Sequence, residues 1–360
     1  MKKISLVLAI CLMLAMTACG GSTAPASTAP ASTAPESAAP ANDFDLDNLE
    51  PITMVFGTMS LGSQYYSQAN AMNTVCIPYL PKGSQFDIQT TSAGGPAGFL
   101  LVGTGNADIS IADLISASNG PITGIQGNPP MDNVRALVGG LENSCSFMVF
   151  TKDFVDKTGI STIEQIIEQK YPIKLVTKAL GSIGEATAAA VLEGYGISYD
   201  DIESWGGSVT HTDTSNVIDM LKDNRAEFCI DQTNMTQANW MELTLTTDVV
   251  YAPYSKECLE FMYTKGYAPQ TIPAGTYNGQ VKEDYASTSA AAVIVVDESL
   301  DDEYAYLITK AMCENKDALV ESFSGFAPFD PETAGTSAKV GCKLHPGAQR
   351  YYDEVGYSTK

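Results

Sequence analysis

Apolar residues recur along the chain at two alternating spacings, one typical of buried β-strands and the other of amphipathic helices. Short β-branched runs predict strands, and apolar residues three or four positions apart predict helices. The predicted strands are residues 52–56, 86–91, 107–111, 134–139, 147–151, 173–177, 228–230 and 291–296. The predicted helices are residues 65–75, 185–193, 217–222 and 301–314, and a capping box at residues 161–164 opens another. Strands that alternate with helices predict an α/β fold with a mostly parallel sheet.

Three of the predicted strand-to-helix connections are rich in glycine, serine and threonine. They lie near residues 57–66, 91–98 and 180–187. The first N–H groups of a helix have no partner within the helix, so such a connection suits an anionic group beyond the strand end. Ligands of open α/β sheets bind outside the carboxyl ends of the strands, and three such turns therefore predict one shared cleft between two domains. For the first turn alone, an ordinary capped loop explains the pattern equally well.

The candidate ligand-binding residues come from these turns and from the end of one later strand. Tyr65 and Tyr66 offer an aromatic wall with polar tips. Glu185 either binds a ligand ammonium or caps its own helix. Asp231 and the adjacent Gln232 face either the cleft or solvent. The full candidate set is Ser60, Gly62, Ser63, Tyr65, Tyr66, Thr91, Ser92, Gly94, Gly95, Ser182, Gly184, Glu185, Thr187 and Asp231.

The first residues are typical of an export signal rather than of a folded domain. Lys2 and Lys3 precede an apolar run that is too short for a stable membrane-spanning helix. Small residues then lead to Cys19, in an order that resembles a bacterial lipobox. We therefore expect a signal peptide at residues 1–18 and acyl chains on Cys19, which would anchor the protein at the extracytoplasmic face of the cell membrane. The alternative is a simple signal peptide that is cut near Ala18.

A segment of Ser, Thr, Ala and Pro continues from the anchor to residue 42. This composition cannot bury enough apolar surface to fold, so we expect residues 19–42 to form the anchor and a disordered tether. The folded body is expected to begin at residue 43.

The net charge of the chain argues against some classes of binding partner. The chain has 42 acidic and 20 basic residues and a formal net charge of −22. Such a surface argues against nucleic acid and against electrostatic docking on an anionic membrane. The lipid anchor is then the only membrane contact that we expect.

Residues with catalytic or metal-binding chemistry are few and scattered. His211 and His345 have no partners at metal-ligand spacing, and no hydrolase motif or phosphate-binding loop is present. We therefore expect no metal, no cofactor and no catalysis. A secreted hydrolase with Ser60 or Ser182 as nucleophile is an alternative that no motif supports. Because the chain has only three arginines, we expect hydroxyl and main-chain N–H groups to hold a ligand carboxylate. Arg135 either reaches the ligand or, as we favour, forms a salt bridge between the lobes.

Cysteine spacing leaves the redox state of the body open. No C-x-x-C pair occurs, which argues against a zinc ribbon or a thioredoxin-like site. Export permits disulfides, but buried free thiols fit equally well. The cysteines concerned are Cys76, Cys145, Cys229, Cys258, Cys313 and Cys342.

Several motifs in consistent order carry a family resemblance over residues 51–357. They are G-T-x-S-x-G-x-x-Y-Y from Gly57, T-T-S-A-G-G-P-x-G-F-L-L from Thr90, G-x-A-D-I-S-I-A from Gly105, I-P-A-G-T-Y-N-G from Ile272 and L-H-P-G-A-Q-R-Y-Y from Leu344. In this order they resemble the TAXI family of solute receptors of TRAP transporters.

The resemblance implies a two-lobed fold like that of type II periplasmic binding proteins, with a ligand cleft between the lobes. One lobe would comprise residues 43–140 and 255–360, and the other residues 141–254. The implied protein is a monomeric receptor that captures a small organic acid or amino acid and delivers it to a membrane permease. The alternative is a sensory or adhesive lipoprotein that uses the same fold without transport. This chain departs from the family pattern at Met59, Leu61 and Gln64, where we expect the ligand preference to be set.

Overall fold

The computed structural model describes residues 48–92 and 94–360. The predicted signal peptide, the Cys19 anchor and the tether lie outside the described residues. Within this range, none of the helices has both the length and the apolar character needed to cross a bilayer.

Strands and helices alternate through the described chain, as the sequence pattern predicts. The strands are β1 (Thr53–Gly57), β2 (Gln85–Gln89), β3 (Ile109–Asp113), β4 (Val134–Gly139), β5 (Ser144–Thr151), β6 (Lys174–Lys178), β7 (Ser208–Thr212), β8 (Phe228–Asn234), β9 (Val249–Ala252), β10 (Ala268–Ile272), β11 (Tyr285–Ser289) and β12 (Ala292–Asp297). The helices are α1 (Gln64–Cys76), α2 (Pro96–Gly103), α3 (Leu114–Thr123), α4 (Lys152–Thr158), α5 (Ile163–Gln169), α6 (Ile183–Gly194), α7 (Tyr199–Ser204), α8 (Thr214–Lys222), α9 (Ala238–Thr246), α10 (Lys256–Thr264), α11 (Thr276–Gly279), α12 (Asp302–Glu314), α13 (Lys316–Ser322), α14 (Ser337–Val340) and α15 (Pro346–Val355).

The strands form two five-stranded sheets and one hairpin. The first sheet has the order β2-β1-β3-β12-β4, and the second has the order β7-β6-β8-β5-β9. Strands β10 and β11 form the antiparallel hairpin. Each sheet carries its own buried apolar core, and we call the two bodies the first lobe and the second lobe.

Both sheets are mixed, which corrects the prediction of a mostly parallel sheet. Strand β1 runs parallel to β2 and β3, and β6 runs parallel to β7 and β8. Strands β12 and β5 run antiparallel to both of their neighbours. The chain enters each of these two strands directly from the other lobe. It enters at the end of the sheet where the parallel strands finish, and β12 and β5 therefore run in the opposite direction.

The chain crosses between the lobes twice. It leaves the first sheet after β4 through residues 140–143, and it returns to this sheet at β12 after residues 290–291. The side chains of Cys258, Tyr267 and Tyr285 are buried in the core of the second lobe. The sequence predicts that the chain returns to the first lobe at residue 255. In the structure, residues 256–289 pack with the second lobe instead.

The predicted capping box is shifted by one residue. Oγ1 of Thr162 accepts the backbone N–H of Gln165, and the side-chain Oε1 of Gln165 accepts the backbone N–H of Thr162. Thr162, rather than Ser161, has the extended backbone that the residue before a helix adopts. Helix α5 therefore begins at Ile163.

Candidate functional site

A small cavity, partly open to solvent, lies where the two lobes meet. The carboxyl ends of β1, β6 and β8 lead into it, which is the position expected for a ligand in an α/β fold. The first lobe and the two crossing segments contribute Met59, Ser63, Gln64, Tyr65, Glu142 and Ala290. The second lobe contributes Ser144, Lys178, Ser182, Ile183, Gly184, Thr214, Gln232, Thr233 and Gln237.

The first wall of the cavity is the start of α1. Ser63 is the N-cap residue, and its Oγ accepts the backbone N–H of Tyr66 at 3.1 Å. This cap places Gln64 and Tyr65 in the first turn of the helix, where both side chains are buried at the cavity. Burial raises the pKa of the Tyr65 phenol well above its usual value, so its hydroxyl keeps its proton.

The second wall is the start of α6. Ser182 caps this helix in the same way, with Oγ 3.1 Å from the backbone N of Glu185. Gly184 follows in the first turn, where a Cβ atom would lie 2.5 Å from Cγ of Lys178 and 2.9 Å from Oδ1 of Asp231. Glycine is therefore required for the close approach of this helix to the charged pair behind it.

That pair is Lys178 at the end of β6 and Asp231 in β8. Nζ of Lys178 lies 3.0 Å from Oδ2 of Asp231, and the two side chains are 6% and 0% exposed. Nε1–H of Trp240 donates to Oδ2 of Asp231 at 2.7 Å, and the backbone N–H of Gln232 donates to its Oδ1 at 2.8 Å. Asp231 thus holds Lys178 at the cavity, while its own oxygens are already occupied.

The lobes contact each other directly around the cavity. The backbone N–H of Asn234 donates to Oε1 of Gln64 at 2.8 Å. The backbone N–H of Ala97 donates to the carbonyl of Gly181 at 3.1 Å. These bonds join residues of opposite lobes, so the structure shows a closed arrangement of the cleft.

Four polar side-chain atoms at the cavity have no hydrogen-bond partner among the described residues. They are Nε2 of Gln64, the hydroxyl of Tyr65, and both Nε2 and Oε1 of Gln232. Each of these side chains is at least nine-tenths buried. Buried polar groups are nearly always hydrogen-bonded, so a cluster of unsatisfied donors and acceptors from both lobes indicates a site for a polar ligand.

Glu142 lies on the first crossing segment and closes the cavity from the hinge side. The side chain is 7% exposed, and its Oε2 accepts Nε2–H of Gln68 at 2.7 Å. Burial raises the pKa of the Glu142 carboxyl to about 8, against the opposing effect of the Gln68 hydrogen bond. At neutral pH this carboxyl is mostly protonated.

The structure places four of the sequence-predicted residues on the cavity and one directly behind it. Ser63, Tyr65, Ser182 and Gly184 belong to the lining, and Asp231 holds Lys178 there.

The other predicted residues of the first two turns lie elsewhere. Ser60, Gly62 and Thr91 are exposed, and Tyr66 lies on a separate shallow groove of α1. Oγ of Ser92 accepts the backbone N–H of Gly94 at 2.8 Å, which shapes the second turn internally.

Two glycines of the second turn, and the remaining residues of the third, serve packing. Gly94 lies against Met59, and a Cβ on Gly95 would lie 2.8 Å from Cβ of Ile183 in the opposite lobe. The side chain of Glu185 lies beside the hydroxyl of Tyr199, with Oε1 at 3.4 Å. The hydroxyl of Thr187 bonds to that of Tyr267 at 3.0 Å.

The candidate set missed the charged residues of the cavity. Glu142 falls between two strands of one apolar stretch, and Lys178 directly follows a predicted strand. A single charged residue next to an apolar strand is the signal that would have identified both.

Other groups that the sequence raised lie away from the cavity. Arg135 pairs with Glu298 within the first lobe, and not between the lobes. Nδ1 of His345 accepts the backbone N–H of Gly347 at the start of α15. All six cysteines of the body are free thiols, five of them buried. No group of three or more His, Cys, Asp or Glu residues in the described ranges could hold a metal ion.

A larger cavity lies within the second lobe, beside the edge strand β9. It is also partly open to solvent. Its lining includes Tyr251, Tyr254 and Tyr285, and every lining residue belongs to the second lobe. This cavity therefore does not depend on closure of the lobes, unlike the interlobe cavity described above.

Two lobes joined by two crossings, with a polar cavity between them, define a two-lobed fold of the periplasmic-binding-protein type. The NMT1-like family matches residues 56–356, which is most of the chain, and the protein belongs to that family.

Solved structures share this fold at low sequence identity. MatC from Rhodopseudomonas palustris, a structure with bound malate, is 10% identical, with a TM-score of 0.53 over 85% of this chain and 96% of that one. A protein from Bordetella bronchiseptica RB50 is 12% identical, with a TM-score of 0.50 over 84% of this chain and 98% of that one.

Proposed function

We propose that the protein is an extracytoplasmic solute receptor that captures a small organic acid or amino acid between its lobes. The observation that carries this proposal is the cluster of unsatisfied polar atoms on Gln64, Tyr65 and Gln232, which come from both lobes and meet in one cavity. Such a site is complete only when the lobes are closed, so a ligand would favour the closed form.

The position of the helices supports a carboxylate as one part of the ligand. The N-termini of α1 and α6 face the cavity from opposite lobes, and each has first-turn N–H groups without intrahelical partners. Lys178 adds a positive charge on the same side. The fold is shared with MatC, whose structure contains malate, a small carboxylate.

We infer further that the receptor serves a TRAP-type secondary transporter of the TAXI class and catalyses no reaction itself. The ordered motifs from Gly57 to Tyr352 support this narrower assignment. A permease subunit would then be the membrane partner.

A thermal-unfolding screen tests ligand capture. The folded body is heated with single amino acids and small mono-, di- and tricarboxylates. A ligand at about 100 times its Kd should add roughly 2.7 kcal/mol of stability. A Gln64→Ala/Gln232→Ala double variant that still unfolds cooperatively should lose the response. If no compound of either class shifts the wild-type transition, the proposal is wrong.

Attachment to the membrane is tested separately in a bacterial host. We propose that Cys19 is lipidated, so the wild-type chain should sediment with membranes and incorporate a labelled fatty acid. A Cys19→Ala variant should do neither. A Cys11→Ala variant is the control, because Cys11 lies within the expected signal. Equal labelling of wild type and Cys19→Ala would contradict the anchor.

A further inference from the structure

The charges at the interlobe cavity are balanced before any ligand enters. Lys178 is the only cationic side chain of the lining, and it is already paired with Asp231 at 3.0 Å. None of the arginines belongs to the lining. A ligand with two carboxylates would therefore bring a second buried negative charge that no side chain of the site compensates.

The polar groups of the lining include both donors and an acid. The N-termini of α1 and α6, Lys178 and Nε2 of Gln64 are donors or positive. Glu142 is the only carboxyl group of the lining. The donors thus suit a ligand carboxylate, and Glu142 suits a ligand cation.

Resting on the function proposed above, we propose that Glu142 receives the ammonium group of a zwitterionic ligand and releases its proton when that ligand binds. The ammonium stays on the ligand, the Glu142 carboxyl becomes a carboxylate, and the proton passes to the buffer. In the bound complex the ligand ammonium pairs with the Glu142 carboxylate, and the ligand carboxylate accepts from the N–H groups at the starts of α1 and α6. Glu142 is, in this role, the residue that selects amino acids over dicarboxylates.

The surroundings of Glu142 are consistent with this exchange. Burial without a cationic neighbour raises its pKa to about 8, and a ligand cation in contact would lower it again. Among the other groups that face it, Tyr65 of α1 and Cys145 of β5 keep their protons near neutral pH, because burial raises the pKa of each. Lys178 of β6 is paired with Asp231 of β8, and Gln68 of α1 is neutral. Asp113 of β3, which interacts electrostatically with Tyr65, has a pKa raised by burial.

The pH dependence of binding tests the exchange. Isothermal titration calorimetry from pH 6 to 8 compares two matched pairs of probes, L-alanine with propionate and L-glutamate with glutarate. The amine of a free α-amino acid stays protonated in this range, so the protein alone changes its charge. Affinity for the amino acid should rise about tenfold from pH 6 to pH 7, and titrations in buffers of different ionisation enthalpy should show proton release.

The variant Glu142→Gln tests whether the Glu142 carboxyl causes the pH dependence of binding. Glutamine has the shape of the protonated acid, and it should remove both the pH dependence and the proton release and weaken amino-acid binding about tenfold or more at pH 8. Glu260→Gln, on the exposed face of α10, is the matched control and should behave as wild type. A circular-dichroism melt of each variant verifies that it is folded.

The outcomes separate this inference from the proposed function. Binding of propionate or glutarate in preference to the amino acids, or an affinity that falls between pH 6 and 8, overturns the role of Glu142 but leaves a solute receptor. An unchanged pH dependence in Glu142→Gln overturns it as well. If neither probe class nor any other amino acid or carboxylate binds, both proposals are wrong.

Discussion

Asn234 of the second lobe donates its backbone N–H to Oε1 of Gln64 in the first lobe, over a distance of 2.8 Å. The other end of the same amide, Nε2 of Gln64, borders the cavity and has no partner among the described residues. One side chain therefore joins the lobes and offers a donor to the ligand, which couples closure to binding.

Replacement of Gln64 by alanine should weaken ligand binding by about 1–3 kcal/mol, since it removes a ligand donor and leaves the Asn234 N–H unpaired. Calorimetry with a ligand from the thermal screen measures the loss. Asn70→Ala, on the exposed side of the same helix, is the control. Equal affinities of wild type and Gln64→Ala would contradict this role.

Gly95→Ala should hinder closure of the lobes. Gly95 has φ of 54°, and a Cβ there would lie 2.8 Å from Cβ of Ile183 in the opposite lobe. Small-angle scattering with saturating ligand should show a larger radius of gyration than wild type. Gly105→Ala controls for backbone strain, because Gly105 has φ of 71° but nothing within 4 Å of a Cβ. The same expansion in both variants would assign the effect to strain alone.

Lys178→Met should destabilise the protein by about 3–5 kcal/mol, since it leaves Asp231 as a buried charge without its partner. Urea unfolding at pH 7 measures this change. The double variant Lys178→Met/Asp231→Asn should recover part of the loss, because it removes the isolated charge. A single variant as stable as wild type would mean that the pair is not needed for folding.

Glu142 should make the ligand-free protein less stable as the pH rises. Its folded pKa of about 8 exceeds the unfolded value, so its contribution is fully present below the unfolded pKa of about 4.3 and is lost as the pH rises toward 8. Relative to Glu142→Gln, wild-type stability should fall by up to about 1.4 kcal/mol per pH unit within this window. Urea unfolding at several pH values gives the difference, and parallel curves would contradict a raised pKa.

The folded body should contain six free thiols even without added reductant, because none of its six cysteines is in a disulfide. Burial raises the pKa of Cys145, Cys258 and Cys313 to about 12. A thiol reagent should therefore react slowly with the native body and with all six cysteines after unfolding. Fewer than six reactive thiols in the unfolded, unreduced chain would reveal a disulfide.

The local pattern of the sequence was sufficient to predict the elements and the general position of the site. Ser63 and Ser182 are helix caps because a hydroxyl before an apolar helical run satisfies an N–H group of the first turn, and this relation is local. The same local reasoning indicated Tyr65 and Gly184, which line the cavity, whereas Gln64 was indicated by the departure of this chain from the TAXI pattern.

The sequence pattern could not show which residues of each turn face inward. Ser60 and Leu61 precede the α1 cap by only a few positions yet are exposed, because the turn bends away from the cleft before the helix starts. Glu142 and Lys178 both line the cavity, although Glu142 lies on the first crossing segment and Lys178 follows in the second lobe, and only the folded chain brings them to one site. Such long-range relations leave no periodic trace in the chain.

The position of β12 has a consequence for the order in which the chain folds. This strand lies between β3 and β4, although the whole second lobe is synthesised between β4 and β12. The second lobe is continuous in sequence and can form as soon as its own residues are available, whereas the first sheet stays divided until β12 arrives. Completion of the first lobe therefore waits for the chain to return from the second lobe, and the insertion of β12 is the last step in assembling its sheet.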